Sequence, residues 1–120
     1  MSNTILVTGG AGFIGSHLVD RLLDENDSII CVDNFDPYYD RSIKENNISE
    51  HRKHNNYRLV EEDIRNLDVL QNEITEDIDA IVHLAAKAGV RPSVKDPVGF
   101  QEVNVMGTQN MLEFAKEREV

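Results

Sequence analysis

The chain has 120 residues, room for one compact domain and not for two. With 40% hydrophobic and 28% charged residues it has the composition of an ordinary globular protein. Twelve Lys and Arg against 22 Asp and Glu leave a formal net charge of −10, which disfavours nucleic acid and anionic membranes as partners, so an anionic ligand has to be held by local geometry.

In chain order, residues 3–8 form a short run rich in β-branched side chains, ended by glycines, which predicts a buried strand. No basic region precedes it and the apolar run is too short for a secretory signal. Nothing in the sequence approaches the ~20 apolar residues of a membrane span. From Gly12 to about Asp24, Ile14, Leu18 and Leu22 recur every four residues, as on one face of a helix. Residues 28–32 (SIICV) predict a second buried strand ending at Asp33. It holds the only cysteine, Cys31, whose apolar neighbours predict an inert thiol. A single cysteine excludes an intramolecular disulfide and fits a reducing, cytoplasmic setting.

Residues 34–56 are irregular: NFDPYYD, with Tyr38 and Tyr39 packed or exposed in a loop, then a polar stretch expected to form a short exposed helix and loop. Residues 57–60 predict a third strand, nearer a sheet edge because it is less apolar. Leu67, Leu70 and Ile74 are in phase for a short helix. Residues 80–84 (AIVHL) predict a fourth strand, followed by a loop over residues 85–92. Pro97 suits a first helical turn, and a last helix is expected from there towards Arg118. Strands alternating with helices imply a parallel sheet with right-handed crossovers in one α/β domain.

The chemistry concentrates in VTGGAGFIGSH, residues 7–17. In Gly9-x-x-Gly12-x-x-Gly15, Gly9 allows the tight turn off the strand, Gly12 lets a pyrophosphate approach the backbone, and Gly15 lets the helix pack close to the sheet. The N–H groups and positive dipole end of the helix then face the phosphates. No lysine follows in a GK[ST] arrangement, which excludes a nucleoside-triphosphate P-loop. Asp33 lies 18 residues after Gly15 at the end of the next strand, near the ~20 expected of a ribose-binding carboxylate. Its carboxylate accepts both ribose hydroxyls and repels a 2′-phosphate. Gly10, Ala11 and Asn34 offer no cation to pair with such a phosphate, so NAD is favoured over NADP. A glycine turn without a ligand, an S-adenosylmethionine site and a flavin site remain as alternatives.

TGGAGFIGSHL, VDNF, EDIR, AIVHLAAKAGVRPS and VNVMGTQNMLE, spaced over almost the whole chain, resemble the extended short-chain dehydrogenase/reductases. Within these the chain resembles the NAD-dependent nucleotide-sugar epimerases and dehydratases. NFDPYYDRSIKENNI with AAKAGVRPS is most similar to the UDP-glucuronate 4-epimerases. The resemblance implies the first half of a Rossmann-type doubly wound sheet, about four strands in the order 3-2-1-4. It places Gly9, Gly12, Phe13, Ile14 and Gly15 along the NAD pyrophosphate, and Asp33, flanked by Asn34 and Phe35, on the adenosine ribose. Asp63 and Ile64 are placed beside the adenine, Leu84, Ala85 and Ala86 under the nicotinamide half, and Asn104 behind that loop. Asp63 has an alternative reading as the N-cap of a helix starting at Ile64, and Asn104 as a bridge in the core. His17 and His83 read as structural. In the open loop, Lys87 and Arg91 point at a nucleotide-sugar phosphate or sugar carboxylate, or are solvated. Lys87 is placed with the cofactor set, and Val90 and Arg91 with the substrate.

The family's chemistry uses a Tyr-x-x-x-Lys pair, whose tyrosine exchanges a proton with the sugar while NAD exchanges the hydride. Four residues after Tyr38, Tyr39 and Tyr57 come Ser42, Ile43 and Glu61, so no catalytic residue is assigned within these 120. The chain is therefore expected to be the NAD-binding fragment of a nucleotide-sugar enzyme, residues 1–120 of a Rossmann domain that lack the catalytic pair and the substrate domain. By itself it is expected to bind NAD weakly or not at all and to turn nothing over. The implied parent activity is C4 epimerisation of UDP-glucuronate by oxidation, rotation of the 4-keto sugar and re-reduction. UDP-glucose 4-epimerisation, nucleotide-sugar 4,6-dehydration, or a non-catalytic NAD-binding module are the alternatives. The last helix, with Val103, Val105, Met106, Met111, Leu112, Phe114 and Ala115 on more than one side, is expected to pack on the sheet and on a second copy of the chain.

Overall fold

A computed structural model describes residues 2–120. Four parallel strands, β1 (Thr4–Thr8), β2 (Ser28–Val32), β3 (Tyr57–Val60) and β4 (Ala80–His83), form one sheet in the order β3-β2-β1-β4. The expected order is thus the observed one, with β3 at an edge. β1 runs in register between its neighbours: Leu6 pairs with Ile30 and Ile81, and Thr8 with Val32 and His83.

Period-2 alternation divides the apolar side chains between two faces. Ile5, Val7 and Ile29 meet Val19 and Leu23 of α1 (Phe13–Asp24). Leu6, Ile30, Val32 and Val60 meet Leu70 and Ile74, at α3 (Leu67–Glu73), and Met111 and Phe114 of the last helix. The inward stripe of α1 is Gly15, Val19 and Leu23, with Leu18 and Leu22 at its flank, whereas Ile14 is 70% exposed. The helix is therefore turned from the expected Ile14-Leu18-Leu22 face, because Gly15 is where its backbone touches the glycine turn. A Cβ on Gly15 would land on the Gly9 carbonyl oxygen and 2.9 Å from Gly10 Cα.

The irregular region is more structured than its polarity suggests. Four short polar side chains turn back onto amides two residues on: Asp33 to Phe35, Asn34 to Asp36, Asp36 to Tyr38, and Asp40 to Ser42. These Asx turns let an Asp- and Asn-rich loop hold one path. Asp40 caps α2 (Arg41–Ile48). This helix is not simply exposed: Lys44 and Ile48 are buried on its inner side, and Ile48 packs with Ala11 and Phe35. Buried His51 follows in a short 3₁₀ turn (His51–Lys53) and hydrogen-bonds Asp20 of α1.

One further expectation is corrected and another refined. The loop expected over residues 85–92 ends at Gly89, whose φ of 108° turns the chain into a short helix, α4 (Val90–Lys95). The last helix does run from Pro97 to Arg118 as expected, but it carries a π-helical turn (Glu102–Met106) between α5 (Pro97–Gln101) and α6 (Gly107–Arg118). Val103, Met111 and Phe114 face the core, while Val105, Met106 and Leu112 are exposed. Among the described residues no helix is long and apolar enough to cross a membrane.

Candidate functional site

The crossovers β1-β2-β3 progress to one side of β1, and the next returns to place β4 on its other side. A crevice therefore opens at the carboxyl ends of β1 and β4, where α/β sheets hold ligands. A cavity occupies it, reaching from Gly9 and Gly12 to Asp33, Asn34, Asp63 and Ile64 on one side and to Leu84, Ala85, Ala86 and Lys87 on the other. Ten of the residues expected at a cofactor thus share one hollow.

The glycines have separate reasons. Gly9 has φ 71°, and a Cβ there would lie 2.9 Å from Ala85 N, so the turn needs glycine for both conformation and space. Gly15 is enclosed, as described. Gly12 is different: its φ of −76° suits any residue, and a Cβ would meet only the Gly9 carbonyl oxygen, at 3.3 Å. Gly12 is also the N-cap of α1, and among the described residues no side chain caps that end and no acid sits in its first turn. The start of α1 thus lies at the cavity with its first-turn N–H groups uncapped by any described side chain. Phe13 and Ile14, which follow it, are exposed and lie outside the cavity lining.

Asp33 is almost fully buried and already engaged. Its Oδ2 accepts from Ala11 N at 3.1 Å, and its Oδ1 from Phe35 N at 2.8 Å and Lys44 Nζ at 2.9 Å. Of about four acceptor positions on a carboxylate, one, on Oδ2, remains, so a ribose diol cannot place both its hydroxyls on Asp33 without displacing a partner. Lys44 was not legible as a site residue, because the helix carrying it reads as solvated. Its inward turn follows from Asn47, whose Nδ2 donates to Ala11 O at 2.9 Å, and from Ile48 beneath it. Phe35, at φ 54°, is buried against this helix with the Arg41 guanidinium 4.3 Å from its ring centre.

Asp63 is not a helix N-cap. The helix beyond it starts at Leu67 after Asn66. The Asp63 carboxylate instead accepts from the Arg65 backbone at 2.8 Å, the Arg65 guanidinium at 2.8 Å and Asn34 Nδ2 at 3.3 Å. Burial works to raise its pKa, but the hydrogen bonds and charge of Arg65 outweigh it and the net shift is downward. Ile64 is buried against Gly107.

Across the cavity, Asn104 clasps the loop after β4 in both directions: its Oδ1 accepts from Lys87 N at 2.8 Å and its Nδ2 donates to Lys87 O at 3.0 Å. It stands in the π-helical turn, a feature frequent at functional sites. Lys87 Nζ lies 3.6 Å from Asp36. Val90 and Arg91 are exposed in α4 and do not line the cavity. Tyr38, Tyr39, Glu62 and Phe100 line it without having been anticipated. The adjacent tyrosines, stacked edge-on at 4.9 Å, were the available signal.

The family model described as GDP-mannose 4,6-dehydratase matches residues 6–120. The chain belongs to that family. It is 40% identical over 113 residues to the UDP-glucuronate 4-epimerase of Thermodesulfobacterium geofontis, covering 93% of this chain and 35% of that protein. The crystal structure of UDP-glucuronic acid 4-epimerase from Bacillus cereus, in complex with UDP-glucuronic acid and NAD, superposes with a TM-score of 0.81 at 38% identity over 94% of this chain and 36% of that one. The dTDP-glucose 4,6-dehydratase of Bacillus anthracis, in complex with NAD, gives 0.79 at 35% identity over 97% and 34%. The chain therefore spans 34–36% of the length of these relatives.

Proposed function

We propose that this member of the GDP-mannose 4,6-dehydratase family is the NAD-binding part of a nucleotide-sugar epimerase that acts at C4 of UDP-glucuronate. The observation that carries the cofactor reading is Gly12, a glycine the fold demands far less than Gly9 or Gly15, at an uncapped helix N-terminus above a cavity. A pyrophosphate fits there because its oxygens occupy the space a Cβ would take and accept from the first-turn N–H groups. Bound there, NAD supplies reversible hydride transfer at its nicotinamide ring. Asp33 takes one ribose hydroxyl on Oδ2, Asp63 accepts from the adenine amino group, and the Leu84–Lys87 loop, held by Asn104, supports the nicotinamide half. Phe13 and Ile14 flank the pyrophosphate, and Val90 and Arg91 face the sugar nucleotide. The substrate reading is supported by similarity to UDP-glucuronate 4-epimerases. The reading extends to a cytoplasmic protein and to a homodimer through the exposed face of α6, where Leu112 is 61% exposed, which sedimentation tests.

The decisive experiment is titration of isotope-labelled protein with NAD by NMR, which detects weak binding. Saturable shifts at the amides of Gly12, Asp63 and Ala85, abolished by Gly12→Ala, support the site. Saturable shifts that survive Gly12→Ala, or saturable shifts confined to amides away from this hollow, overturn it. Coding sequence that continues past Val120 into a Tyr-x-x-x-Lys pair supports the epimerase, and one that stops there favours an NAD-binding module without catalysis.

A further inference from the structure

The hydrogen bonds around His83, at the end of β4, assign its protons from two independent directions. On one side, Thr8 Oγ1 receives the amides of Leu84 at 3.0 Å and Ala85 at 3.1 Å, the Leu84 N–H being shared with the Thr8 carbonyl. Amides only donate, so both lone pairs of the hydroxyl are engaged and its own proton must go elsewhere. It lies 2.6 Å from His83 Nδ1, which is therefore an acceptor. On the other side, Thr108 Oγ1 lies 2.6 Å from the Asn104 carbonyl, which only accepts, so Thr108 donates there. Its oxygen is then free to accept from His83 Nε2 at 3.0 Å. The Thr8 side requires a bare Nδ1 and the Thr108 side a proton on Nε2, and together they require a neutral imidazole in its Nε2–H form.

The same chain of contacts holds the cavity floor. Thr8 fixes the Ala85 amide, which sits against Gly9. The backbone carbonyl of Asn104 takes the Thr108 proton, while the Asn104 side chain clasps Lys87. We propose that His83 is a positioning residue whose neutral Nε2–H form fastens the Leu84–Lys87 loop to β1 and to α6. A proton added at Nδ1 would point at an oxygen already holding two N–H groups, and the Thr8 hydroxyl would have to leave. Protonation thus releases the floor at Ala85.

The elements packed against β4 here offer no competing charge. β1 has no ionisable side chain, and that of α6 nearest Thr108 is Glu113, more than a helical turn beyond. Burial is what lowers the His83 pKa. The proposal rests on the cofactor reading only for what the floor supports, and its test does not need NAD. Nitrogen-15 NMR of the imidazole at neutral pH should show the proton on Nε2, with titration below about 6.5, the ordinary histidine value. Amide protection at Ala85 should fall in the same pH step. Thr8→Val should free Nδ1 and lower Ala85 protection about tenfold, the loss of one hydrogen bond, and Thr8→Ser should restore both. If Thr8→Val does not fold, Thr108→Val should free Nε2 instead. A proton on Nδ1, or Ala85 protection indifferent to the titration, overturns the proposal. NAD affinity that falls in the same step supports both readings. A floor that loosens as expected while NAD binds away from it overturns the cofactor reading alone.

Discussion

Lys44 Nζ lies 2.9 Å from Asp33 Oδ1, with the two side chains only 11% and 2% exposed. A helix from the irregular segment after β2 thus delivers a cation to the carboxylate that ends that strand. Charges this far from water are stabilised only by partners, so removing one leaves the other uncompensated. Lys44→Met is therefore expected to lower stability by about 3–5 kcal/mol in urea denaturation. The double variant Asp33→Asn with Lys44→Met should recover part of that loss. An unchanged midpoint for Lys44→Met would show the pair to be energetically idle.

The glycines of the loop should separate fold from ligand. Gly15→Ala forces a methyl onto the Gly9 carbonyl and is expected to cost about 1–3 kcal/mol of stability. Gly12→Ala, with a single contact at 3.3 Å, should cost less than about 1 kcal/mol, a mild squeeze. Thermal melts of the two variants compare them directly, and equal losses would contradict the assignment of Gly12 to a ligand.

Cys31 is fully buried, and burial pushes its thiol up to about 12. The thiolate is the reactive form. Ellman's reagent at pH 8 should leave Cys31 unmodified in the native protein and label it fully in guanidinium. Prompt native labelling would mean that the sheet opens at β2.

The lowered pKa of His83 also makes stability depend on pH. An unfolded imidazole titrates near about 6.5. Below that value and above the folded pKa, the unfolded chain holds a proton that the folded chain does not, so stability falls as pH falls through this window. Carboxylates with lowered pKa, such as Asp63 and Glu76, lose their contribution further down, below about 4. Urea midpoints at pH 8, 6 and 5 should decline for the parent chain and flatten between pH 6 and 5 for His83→Asn. A steeper decline in the variant would reverse the sign argued here.

By itself, the sequence determined the strands, their parallel run and the glycine turn. These follow from short-range signals, β-branched apolar runs alternating with helical periodicity and glycines at fixed spacing, whereas the order 3-2-1-4 came with the family resemblance. It also marked Asp33 and Asp63 as strand-end acids and Asn104 as a support for the loop it clasps. Only the tertiary structure decided what those acids hold. The Asp33–Lys44 pair, the Asp63–Arg65 turn and the inward face of α2 depend on which side of a polar helix meets the glycine loop, and a helix with few apolar residues does not announce that face. The break of the last helix into a π turn at Asn104 and the chain from Thr8 through His83 to Thr108 lie beyond sequence reading for the same reason. They join residues 25 and 75 apart, which become neighbours only once β1, β4 and α6 have packed.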